Sequence, residues 1–104
     1  MIVSTTPHIE GRNVAGYLGV VVAQGVLGVN VFKDVAAGMR NIFGGRSQSY
    51  ENELASGVSD SLTELEKQAE QLGADAVIGV DIDYEAIGNQ MLMISASGTA
   101  VKLA

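Results

Sequence analysis

Val14-Ala15-Gly16-Tyr17-Leu18-Gly19-Val20-Val21-Val22-Ala23-Gln24-Gly25-Val26 decides how this chain is read. No charged residue stands between Arg12 and Lys33, so hydropathy alone marks the stretch as a membrane-segment candidate. Its composition points elsewhere. Gly16, Gly19, Gly25 and Gly28 interrupt it, Gln24 and Asn30 lie within it, and three consecutive valines form its centre. Val-rich sequence punctuated by glycine fits a strand with apolar side chains on both faces, followed by a turn. Val14, Leu18, Val20, Val22 and Val26 alternate with Ala15, Tyr17, Val21 and Ala23.

The neighbouring segments follow from this strand. Ile2 to Thr6 is a β-branched run stopped by Pro7, and His8 to Asn13 reads as a turn. Gly28 and Asn30 end the long strand, with Asn30 as a helix N-cap. Val31, Val35, Met39 and Ile42 then fall on one face of a first helix that stops at Gly44-Gly45. Tyr50, Leu54, Val58, Leu62, Leu65, Ala69 and Leu72 recur every three or four residues and define a second helix closed by Gly73. Ala76–Ala86 and Met91–Leu103 are strands joined around Gly88-Asn89. Ile78, Val80, Ile82 and Tyr84 alternate with Asp81, Asp83 and Glu85. Matching Ile82 to the face of Ile94 requires an odd loop or a bulge. The expectation is an α+β unit, β-β-α-α-β-β: a mostly antiparallel sheet of about four strands with two helices on one face. One face of the long strand then lacks cover, so Tyr17, Val20, Val21 and Val22 are expected at a subunit interface.

At 104 residues the chain is one domain, 1–104. Six basic against twelve acidic residues give a net charge of −6, which disfavours nucleic acid and anionic membranes as partners. There is no cysteine, so disulfides, thiol catalysis and thiolate metal sites are excluded. The start, Met1-Ile2-Val3-Ser4, has no basic n-region, and the expected location is the cytoplasm.

Candidate chemistry is confined to a few places. Soft metals want thiolate or imidazole, and the chain offers one histidine, His8, in a turn. Asp81, Asp83 and Glu85 share a strand face, where they could meet a hard divalent ion or simply face solvent. Gly44-Gly45-Arg46-Ser47 precedes the second helix. It reads either as an anion site or as a helix–helix turn in which Arg46 anchors a carboxylate. Ser95, Ser97 and Thr99 are hydroxyl-rich, but every Ser/His/Asp triad would need the same His8. No nucleophile–base pair emerges, and a non-enzymatic module is expected.

Ile2-Val3-Ser4-Thr5-Thr6-Pro7, Gly44-Gly45-Arg46-Ser47 with Tyr50-Glu51, Gly73-Ala74-Asp75-Ala76-Val77 and Ser95-Ala96-Ser97-Gly98-Thr99-Ala100 resemble the YbjQ-like family. The resemblance runs along nearly the whole chain. It implies β/α subunits assembled into a closed homopentameric ring, and the heavy-metal-binding label that the family carries. It implies no catalytic residues.

Overall fold

The computed structural model describes residues 1–27, 48–88 and 91–104, with the side chains of 48–51 excepted. Its elements are β1 (Ile2–Val3), β2 (Val14–Leu27), α1 (Gln48–Gln71), β3 (Ala76–Ile87) and β4 (Met91–Leu103). The strands form one sheet in the order β1-β3-β4-β2. β4 is central and antiparallel to both long neighbours, whereas β1 lies parallel to β3 through Ile2↔Ala76 and Val3↔Val77. The fold is α+β with a mixed four-stranded sheet. Among the described residues there is one helix rather than the two expected. The first expected helix, over Val31–Ile42, lies outside the described residues, as do Gly44, Gly45, Arg46 and Ser47.

β3 and β4 close a hairpin in which Ile87 faces Met91, leaving the three residues 88–90 between them. That odd number is what matching Ile82 to the face of Ile94 required. A bulge is present as well. Ile78 faces Thr99, yet Asp81 faces Ser97, so Gly79 and Val80 together oppose Gly98. Gly79 takes a φ of +60°, a conformation that favours glycine. The extra residue reverses the alternation and corrects the expected face of Ile78. Val77 and Val80 point to the helix side, while Ala76 and Ile78 point to the other.

Two apolar clusters result. Beneath α1, Leu65 and Ala69 pack on Val77, Val80, Ala96 and Ala100, together with Val21 and Ala23 of β2. On the opposite face Ala76, Ile78, Val101 and Leu103 are covered by Ile9 and Val14. Val21 is therefore core, 3% exposed, and not the interface residue expected. The helix sits close because of Gly57: a Cβ there would stand 2.5 Å from Cδ1 of the fully buried Ile94. A mid-helix glycine costs about 1 kcal/mol against alanine, and here the close approach offsets it. Leu72 was expected on the buried face but is exposed, because α1 ends at Gln71. Gly73, at φ +80°, turns the chain there, and Ala74 N–H donates to Ala69 O at 3.0 Å.

Asp75 then ties the turn to β4. Its Oδ2 accepts from Leu103 N–H at 2.9 Å and its Oδ1 from Lys102 Nζ at 3.3 Å. The Leu103 hydrogen bond, aided by Lys102 against the opposing effect of burial, holds the Asp75 carboxyl below its ordinary range.

Gly98→Ala tests the bulge. Its Cβ would stand 2.6 Å from Val77 Cγ1 and 3.2 Å from the Ile78 carbonyl oxygen. The variant is expected to lose about 1–3 kcal/mol in urea unfolding, as overpacked sites do.

Candidate functional site

The sheet face away from α1 carries the expected carboxylate row together with Val20 and Val22. Beyond the bulge, alternation places Asp81, Asp83 and Glu85 of β3 on it. Ser97, Ser95 and Met93 of β4 lie directly beside them, and Val22, Gln24 and Val26 of β2 lie beyond. The rows read Asp81–Ser97–Val22, Asp83–Ser95–Gln24 and Glu85–Met93–Val26 across the sheet. A carboxylate stripe, a hydroxyl stripe and an apolar stripe thus run side by side.

The carboxylate row matches the sequence reading, and all three acids are exposed. Asp83 shares a hydrogen bond with Asp81. That bond, then the Asp81 charge, raises the Asp83 carboxyl above its ordinary range. Two carboxylates held together in this way suit a hard divalent ion or a shared proton. No three His, Cys, Asp or Glu side chains converge as a metal cage among the described residues. His8 is exposed in the loop between β1 and β2 and is no part of the row. Among the described residues a heavy, soft metal therefore finds no cluster of thiolate and imidazole donors, in a chain with no cysteine and one histidine.

On β2 the expected interface residues separate. Val20 is 74% exposed, Val22 46% and Tyr17 73%, whereas Val21 is in the core. Val26, 55% exposed, extends the stripe and was not singled out from sequence. A second feature was missed too. An open groove of about 700 Å³ runs along the flank of α1 beside β1 and β3, lined by Val3, Leu54, Val58, Leu62 and Tyr84. Its signal was in the sequence. Leu54, Val58 and Leu62 form an i, i+4 row of their own, beside the Ser61–Leu65–Ala69 line that α1 buries.

Asp83→Asn checks the carboxylate pair. The folded chain raises this group above its ordinary 3.8, so ionised Asp83 counts against the fold, and that cost grows as pH rises through the carboxylate range. The variant is expected to melt above wild type at pH 7. The gap should close as pH falls below the ordinary aspartate value, as read by thermal melts across pH.

The fold matches a solved structure, a protein of unknown function of the DUF74 family from Pediococcus pentosaceus ATCC 25745. The TM-score is 0.71 at 18% identity, covering 100% of this chain and 98% of that one. In sequence, a UPF0145 protein of Bifidobacterium longum (strain DJO10A) is 52% identical over 106 residues, 100% of this chain and 96% of its own. One of Listeria monocytogenes serotype 4a (strain HCC23) is 53% identical over 103 residues, 97% of this chain and 94% of its own. The YbjQ family model, described as "putative heavy-metal-binding", matches residues 1–104. The chain belongs to this YbjQ/UPF0145 family.

Proposed function

We propose that this protein is a non-enzymatic module that works as a homo-oligomer, with five subunits in a closed ring as the family resemblance implies. The observation that carries the reading is the apolar stripe of β2. Val20, Val22 and Val26 are all exposed on a face that α1 does not cover, with Tyr17 exposed further along the strand. Burying such a stripe gains roughly 25 cal/mol per Å² of apolar area. Monomers seldom leave apolar patches of several hundred Å² open to water. The partner is a second copy of the chain; neither nucleic acid nor membrane suits its charge of −6. Cytoplasmic residence fits this reading, and no described helix is long and apolar enough to cross a membrane.

Sedimentation of the native protein is expected to give a multiple of 10.8 kDa, and a clean monomer at micromolar concentration overturns the proposal. Val22→Glu should lower the sedimenting mass while leaving the fold intact, since its side chain faces out. Val21→Glu should unfold the chain instead, because a carboxylate buried without a partner costs of the order of 3 kcal/mol or more.

A second reading is favoured by the Asp81–Asp83 pair: a weak site for a hard divalent cation, closer to the family description than any soft-metal site. Calcium titration followed by calorimetry is expected to give saturable heat that Asp81→Asn and Asp83→Asn each abolish. Flat heats from the native oligomer would remove this reading and leave self-association standing.

A further inference from the structure

We infer that α1 is a two-part helix hinged between Gly57 and Ser61, whose first half unwinds from the sheet while its second half stays anchored. Burial divides the helix. Ser61, Leu65 and Ala69, spaced by four, are the buried residues of α1 among those described. From Asn52 to Asp60 none is buried: Glu53, Leu54, Gly57 and Val58 are half-buried, and the rest are exposed. Polar contacts brace the second half. Gln68 Oε1 accepts from Val22 N–H at 3.3 Å, and Glu66 Oε1 lies 3.8 Å from the Met1 ammonium. Gly73 N–H donates to Glu70 O at 2.9 Å, and the Asp75 clamp on β4 follows two residues later.

The junction between the halves is built to yield. Ser56-Gly57-Val58-Ser59 is a run of residues that all favour a helix less than alanine or leucine does. Thr63 Oγ1 donates back to Ser59 O at 3.0 Å, a bond within the helix that weakens the turn it spans. Ser61 is 4% exposed, and its Oγ has no hydrogen-bond partner. It stands at the sheet beside Gly25, where a Cβ would lie 3.6 Å from it. In the closed helix this hydroxyl has given up water without gaining a partner. Unwinding as far as Ser61 returns it to water and uncovers only half-buried side chains. Going further would strip Leu65 and Ala69 from the core, so the break falls at the junction.

Gly57 gives the opening a consequence. It is where the first half meets the sheet, with Ile94 Cδ1 in the space a Cβ would take and Leu27 beside it. When that half unwinds, Ile94 loses its cover. The groove beside α1 then extends along the helix side of the sheet, from Tyr84 across its partner Ile94 toward Leu27.

Local opening of this kind is read by hydrogen exchange. In the native protein, mass spectrometry is expected to show exchange at least about a hundredfold faster over residues 52–60 than over 65–71. Ser61→Ala removes the unpaired hydroxyl and should slow the first segment about tenfold while leaving the second unchanged. Ser56 is exposed, and Ser56→Ala, acting through helix propensity, should slow the same segment about twofold. Equal protection along α1 would overturn the hinge, whether the sheet or a neighbouring copy supplies the cover. So would a Ser61→Ala protein in which both segments slow alike, since the hydroxyl would then act on global stability alone.

Discussion

The bulge at Gly79–Val80 against Gly98 is the constraint on which the rest of this structure depends. Without it, a strictly alternating β3 would bring Ile78, Val80 and Ile82 to one face and leave Val77 on the other. One inserted residue lets Val77 and Val80 both pack under α1, while Ala76 and Ile78 build a second cluster with Val101 and Leu103. The strand thus changes character along its length. It is buried on both faces before the bulge, and apolar on one side and acidic on the other beyond it. The inserted residue requires glycines on both sides: Gly79 for its backbone conformation, and Gly98 because Val77 fills the space a Cβ would take.

Much of this was legible in the sequence because periodicity reports burial on regular elements. The limits of β4, the helix over Leu54–Ala69, the odd-numbered hairpin loop and the shared face of Asp81, Asp83 and Glu85 all follow from spacing of two or of three to four. The departures occur where a local event breaks the period. The β3 bulge moved Ile78, and Gly73 ended α1 before Leu72 could be buried. Val21 was grouped with Val20 and Val22 because three consecutive valines carry no sign of which face is inward. The structure resolves this through Ala23, which shares the inward face with Val21 under Leu65 and Ala69. The groove beside α1 left only half of its signal in the sequence: Leu54, Val58 and Leu62 form a row of their own but look like core residues by spacing, and it is the displacement of α1 toward β2 and β4 that leaves them half-buried.

The acidic face and the family description pull in different directions. Hydroxyls and carboxylates in adjacent stripes are oxygen chemistry, suited to hard cations and protons. A heavy metal prefers thiolate and imidazole, and this chain has no cysteine and one histidine. The conflict lies in ligand type, and the fold leaves it in place. Relatives at 52–53% identity carry the UPF0145 name and no stated ligand, so the chemistry of the face has to be judged on its own residues.

The central position of β4 also sets an order of events during synthesis. β2 leaves the ribosome long before the strand that satisfies its inner edge, since Val14 pairs with Leu103. Through that interval the three consecutive valines have neither Ala96 nor Leu65 to pack against. Contacts this distant in sequence make folding slow and keep nascent apolar strands open to wrong partners. Gly16, Gly19 and Gly25, spaced through β2, weaken its intrinsic tendency to pair on its own.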